Sequence, residues 1–209
     1  ENAPVGKRGL YGMFPQLGPP AGFLFATGSF LILTYFLTEQ EFKEWGWRLP
    51  FLGSAILVIV GLYIRLALTE TPVFAKILQR HQQVVLPFIV ILKAHLFQLV
   101  LGSLAMVVCY ALFYIATVFS LGYGTNTLNI PRQQFLGMLS VAILFMALAV
   151  PLSAWAADYF GRRPVLLVAG SVAFLSGFAM EPMLNSGSLL MVTAFLALEL
   201  FLMGATFAP

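Results

Sequence analysis

An all-helical membrane protein crossing the bilayer several times is the fold class this sequence predicts, and three observations predict it. Hydrophobic residues make up 60% of the 209 residues and charged residues only 9%, with a mean hydropathy of +0.93. Soluble domains of this size do not show that balance. Six apolar stretches are each long enough to cross a hydrocarbon core of about 30 Å, which takes roughly 20 residues of helix. None alternates apolar and polar residues over about ten positions, as strands of a membrane barrel do.

The first stretch runs from Leu10 to Leu37 and carries Pro15, Pro19 and Pro20, so a kink or tilt is expected in it. Gly18 and Gly22 lie four apart on one helical face and offer another helix close approach. Gln16 and Thr27 are its polar groups, with a claim on any central cavity. The second stretch, Leu49 to Leu68, is entered through Trp45 and Trp47, which flank Arg48 where amphipathic rings favour the membrane interface.

Thr69 to His95 is the longest connection and divides the chain into 1–68, 69–95 and 96–209. Phe74, Ile77 and Leu78 follow i, i+3, i+4 spacing beside Lys76 and Arg80, which suits a short helix on the membrane surface, interrupted at Pro87. His81 and His95 lack the spacing of metal ligands, so no metal is expected.

In the third stretch, Leu96 to Leu121, the residues Tyr110, Phe113, Tyr114 and Thr117 fall at i, i+3, i+4 and i+7 and form one aromatic, partly polar face. Helix packing explains such a stripe as well as substrate contact does. Cys109, the one cysteine, lies inside this apolar run and reads as a packing residue. The fourth and fifth stretches, Phe135 to Ala157 and Val165 to Leu184, enclose a charged turn from Asp158 to Pro164. A connection this short makes its helices antiparallel neighbours. Gly161 can take a left-handed backbone, and Pro164 suits the first turn of the next helix. The sixth stretch, Leu189 to Phe207, holds Glu199 near mid-span, where a carboxylate must be protonated, paired or facing water.

Eight Lys and Arg residues fall in the loops of one side (Lys7, Arg8, Arg65, Lys76, Arg80, Lys93, Arg162 and Arg163) and three (Lys43, Arg48 and Arg132) in those of the other. That asymmetry predicts that the chain start lies on the cytoplasmic side; the resemblance described below implies a bacterial inner membrane. The basic residues sit beside spans rather than on one basic face, which argues against nucleic acid as a partner. An enzyme would need a nucleophile, a metal cluster or paired carboxylates at one depth, and no H-E-x-x-H or G-x-S-x-G is present. The lipid bilayer is the expected partner, with no cofactor; a small molecule and a proton as further partners, and a monomeric full-length protein, are what the resemblance described next implies.

The turn Asp158-Tyr-Phe-Gly-Arg-Arg163 resembles the G-x-x-x-D-x-x-G-R-R loop signature of the major facilitator superfamily, with Ala154 where the pattern often has Gly. Glu1-Asn-Ala-Pro4 with Gly6-Lys-Arg-Gly9, Trp45-Gly-Trp-Arg-Leu-Pro-Phe51 and Glu70-Thr-Pro-Val-Phe74 narrow the resemblance to its metabolite:proton symporters. The resemblance implies a twelve-helix fold in two halves, of which this chain covers the end of the fourth helix to the tenth. Such a fragment is expected not to transport alone. It also implies alternating access, with Asp158, Gly161, Arg162 and Arg163 as part of a cytoplasmic gate. Glu199 is then a candidate proton carrier, and Tyr110, Phe113, Tyr114, Thr117 and Gln16 candidate cavity residues. Symport of a small organic acid or zwitterion is the implied activity. Gly18-Pro-Pro-Ala-Gly22 resembles the G-P-x-x-G element of the superfamily's antiporters, which makes antiport the alternative.

Overall fold

The computed structural model describes residues 8–67, 92 and 95–208, and no strand occurs among them. The helices are α1 (Arg8–Gln16), α2 (Gly18–Phe36), α3 (Glu39–Glu41), α4 (Arg48–Ala67), α5 (Leu96–Tyr114), α6 (Ser120–Asn126), α7 (Arg132–Phe160), α8 (Arg162–Leu184) and α9 (Leu189–Phe207). Two π-helical turns, Phe42–Gly46 and Ile115–Phe119, join α3 to α4 and α5 to α6. Six helical runs are long and apolar enough to cross a membrane, and they coincide with the six stretches of the sequence.

The first span breaks where its prolines require. Pro19 and Pro20 lack the N–H groups that would bond back to Pro15 and Gln16, so α1 ends at Gln16 and α2 restarts with proline in its first turn. Beyond α2, Thr38 opens α3 with a capping box: its N–H donates to Glu41 at 2.9 Å, and its hydroxyl accepts from the Glu41 N–H at 3.3 Å. Trp45 and Trp47 are exposed, and the Arg48 guanidinium stacks 4.8 Å from the Trp47 ring centroid. The same end of the molecule holds Pro131, which precedes α7.

The core lies between α7 and α9, with α5 and α8 packed against α9. Phe135, Leu139, Ile143 and Met146 of α7 meet Phe195, Leu196, Leu200 and Met203 of α9, and Cys109 and Leu112 close the α5 side. Cys109 is thus the packing residue its setting suggested. Helices attract one another in lipid through close contact rather than through exclusion of water, which favours small residues where they cross. Gly204 is such a point, since a Cβ there would lie 2.8 Å from the Met146 carbonyl oxygen. Replacing Gly204 by Val is expected to cost about 1–3 kcal/mol through overpacking. A fall in the thermal midpoint of the full-length protein in detergent checks this, with Gly177→Val as control, because a Cβ at Gly177 meets nothing within 4 Å.

By contrast, α4 buries no residue among those described, and it is apolar on every face. The close approach expected at Gly18 and Gly22 does not occur either: a Cβ at either position meets nothing within 4 Å among the described residues. The reason is the stripe α2 presents to the rest of the molecule. Pro20, Phe23, Leu24 and Thr27 follow i, i+3, i+4, i+7 spacing and are buried or half-buried, and both glycines fall on the opposite face.

The surface helix expected around Phe74, Lys76, Ile77, Leu78 and Arg80, with His81, lies outside the described residues, as do Glu1 to Lys7, Glu70 to Phe74 and Lys93.

Candidate functional site

The seam between α1–α2 and α7 carries the chemistry that distinguishes this molecule from a generic helix bundle. At one end of it stands Asp158, in the last turn of α7. The sequence places a loop of about seven residues here, but helix continues through Asp158 and resumes at Arg162, leaving Gly161 as the single linking residue. Gly161 has φ 89° and ψ 158°, an extended positive-φ conformation that only glycine adopts readily, rather than the left-handed helical one expected. Its N–H still donates to the Ala157 carbonyl at 3.1 Å.

The Asp158 carboxylate reaches across the seam to the start of α1. The Gly9 N–H donates to Oδ1 at 2.8 Å and the Leu10 N–H donates to Oδ2 at 3.0 Å. The first N–H groups of a helix have no partner within it and carry the positive end of its dipole, so a carboxylate is the fitting acceptor. Gly9 makes the approach possible, because a Cβ there would stand 2.8 Å from both the Ala154 carbonyl oxygen and Asp158 Oδ1. Replacing Gly9 by Ala is therefore expected to push α1 off α7 and break both bonds. Overpacking of about 1–3 kcal/mol should lower the thermal midpoint of the full-length protein in detergent.

Arg162 and Arg163 are exposed, and among the described residues the single ion pair joins Lys43 to Glu39. Both arginines follow the Gly161 reversal in the first turn of α8, while Asp158 has its partner at the α1 terminus.

Further along the seam, Ser140 Oγ of α7 lies 3.3 Å from Thr27 Oγ1 of α2. Thr27 donates to the Phe23 carbonyl at 2.8 Å, and Phe23 meets Phe113 of α5 edge to face at 5.8 Å. The seam thus runs from an ionic contact through hydroxyls to aromatic rings.

The stripe Tyr110, Phe113, Tyr114 and Thr117 does not stay together. The π-helical turn at Ile115–Phe119 turns the chain less per residue than an α-helix, so the α-helical face does not continue through it. Thr117 is buried and donates to the Phe113 carbonyl at 2.6 Å, and Phe113 is half-buried against Phe23. Tyr110 and Tyr114 point away from the core and line an open groove of about 740 Å³ with Gln98, Ser103 and Met106. Gln16 ends α1, half-buried, and does not line that groove.

Glu199 sits at mid-length of α9, 2% exposed, with the Ser176 hydroxyl of α8 beside its carboxyl. It is therefore enclosed by helices rather than directed into the Tyr110 groove. Ser176 Oγ also lies within hydrogen-bond distance of the Ala173 carbonyl oxygen, at 2.8 Å.

The sequence alone missed the Gly9–Asp158 contact and the Thr27–Ser140 contact. The glycine in Gly6-Lys-Arg-Gly9, just where apolar helix begins, was the available signal for the first; nothing marked the second.

Residues 1–86 match the family described as "Sugar (and other) transporter". The inner membrane metabolite transport protein YhjE of Escherichia coli is 46% identical over 214 residues, covering 100% of this chain and 49% of that protein. The shikimate transporter of Escherichia coli is 33% identical over 200 residues, 93% of this chain and 45% of that one. The proline/betaine transporter of Salmonella typhimurium is 28% identical over 186 residues, 84% of this chain and 37% of that one. The chain spans about half the length of the first of these relatives. No solved structure matches it significantly. With the six apolar helices and the charged α7–α8 turn, these matches show that the chain belongs to the major facilitator superfamily, alongside its metabolite transport proteins.

Proposed function

We propose that the full-length protein is a secondary active transporter, rather than an enzyme, that moves a small organic acid or zwitterion together with a proton. The names of the shikimate and proline/betaine relatives support that substrate class. In this reading residues 1–68 and 96–209 belong to two halves that rock about a central site, with 69–95 linking them. The loop asymmetry of Lys and Arg supports a cytoplasmic position for the Asp158 end.

The observation that carries the reading is the Asp158 carboxylate on the α1 N-terminus. It is a compact contact across a seam, made in one arrangement of the halves and broken in another, and so biases a two-state equilibrium. Gate, cavity and proton carrier are then Asp158, the Tyr110–Tyr114 groove and Glu199.

Uptake of radiolabelled acids and zwitterions by the full-length protein in vesicles tests the proposal. Saturable uptake driven by an inward proton gradient and abolished by a protonophore is expected. Uptake driven only by an outward-directed proton gradient would mark proton-coupled antiport, and uptake indifferent to the proton gradient would refute coupling.

A further inference from the structure

At the opposite end of α7 from Asp158 lies a cavity of about 640 Å³ between α2, the α3–α4 turn and the start of α7. The 29 residues of α7 separate the two ends by about 43 Å at 1.5 Å per residue. Its size lies within the range of small-molecule sites. Its walls differ in character. Phe30 and Phe42 meet edge to face at 6.1 Å and Trp47 meets Phe51 at 6.0 Å, so one side is aromatic. The other side carries Arg132, the first residue of α7.

The charges decide what such a cavity can hold. Lys43 Nζ stands 3.3 Å from Glu39 Oε2, so these two lining residues neutralise each other. Arg48, just outside, is stacked on Trp47 and donates to the Glu44 carbonyl. Arg132 has no carboxylate within 4.0 Å among the described residues, and it is exposed to the cavity. A guanidinium opposite aromatic rings suits a carboxylate on a compact apolar or cyclic body: the planar fork takes both oxygens, and the rings cover the body. An ammonium compound of the same shape meets repulsion from Arg132.

We infer that this cavity is a docking site for small organic carboxylates at the outer end of the seam, separate from the Tyr110–Tyr114 groove. Its purpose rests on the transport reading, because a weak site at the mouth raises the local concentration of substrate before the halves part. Its chemistry does not rest on that reading.

Trp47 in the wall provides the probe. Tryptophan emission of the purified full-length protein is titrated with cyclohexanecarboxylate and, separately, with cyclohexylammonium, in parent and Trp47→Phe protein. A saturable change with the carboxylate alone, lost in Trp47→Phe, is expected. Arg132→Gln should weaken it about tenfold and Arg132→Lys much less, because the lysine keeps the charge without the fork. The uptake KM of Arg132→Gln should rise while its maximal rate stays near that of the parent. Equal responses to both probes, no Trp47-dependent response, or an unchanged affinity in Arg132→Gln would overturn the assignment. A Trp47 response without proton-coupled uptake would sink the transport reading and leave the site standing. Coupled uptake without a Trp47 response would do the reverse.

Discussion

Asp158→Asn in the full-length protein should lower transport about tenfold or more while leaving membrane insertion intact. The carboxylate accepts at 2.8 Å from the Gly9 N–H and at 3.0 Å from the Leu10 N–H, one oxygen for each. An amide of the same shape has one oxygen and one NH₂, so one of the two N–H groups would face another donor. The remaining bond would lose its charge, and the α1 terminus its anion. Charge-assisted hydrogen bonds contribute about 1.5–3 kcal/mol each, and a helix dipole adds about 0.3–1 kcal/mol. A loss of even 1.4 kcal/mol moves the balance between seam-closed and seam-open states tenfold. Insertion should survive because Asp158 lies in the last turn of α7, outside the apolar run that selects the bilayer. Uptake into proteoliposomes at matched protein content reads the effect. Asp158→Glu keeps the charge but moves it one methylene, and should fall between the parent and the amide. Full transport by Asp158→Asn would reduce the contact to an anchor of the turn.

The pairing of Asp158 with α1 spans 149 positions of sequence, and this separation explains what could be read in advance and what could not. Lipid demands that backbone polar groups be satisfied within a span, so hydropathy alone marks six helices and their order. It marks their ends less well. Asp158 and Arg162 look like loop residues by polarity, yet both are helical, because backbone hydrogen bonds do not stop where apolar side chains do. Periodicity also assumes a uniform helix. The π-helical turn at Ile115–Phe119 removes that assumption, and with it the grouping of Thr117 with Tyr110 and Tyr114. Gly18 and Gly22 show the complementary difficulty, since spacing reveals that a helix could approach but not that the neighbour lies on the Phe23–Thr27 side. Which helices meet is decided by shape across the whole bundle, and neither Gly9 nor Ser140 announces its partner.

Glu199→Gln should abolish accumulation against a gradient, with the internal-to-external substrate ratio falling to about one, while substrate exchange continues. The residue is enclosed at mid-length of α9, where an ionised carboxylate costs on the order of 2.5–3.5 kcal/mol. No cation pairs with it among the described residues, so the uncharged acid form suits that site, with the Ser176 hydroxyl beside it. Releasing that proton requires the neighbourhood to open to water, and a conformation that opens it would couple proton release to the transport cycle. Glutamine preserves the volume and can donate an amide N–H to Ser176, so packing of α9 against α8 survives the change. What it removes is the exchangeable proton, leaving a carrier that equilibrates substrate without pumping it. Accumulation by Glu199→Gln equal to that of the parent would make Glu199 a packing residue and send the proton through another carboxylate. A variant that neither accumulates nor exchanges would show that the carboxyl holds α9 in place, and Ser176→Ala, which removes the neighbouring hydroxyl and leaves the carboxyl, separates those cases: it should retain accumulation if Glu199 carries the proton and lose exchange if the Glu199–Ser176 contact only fixes α9.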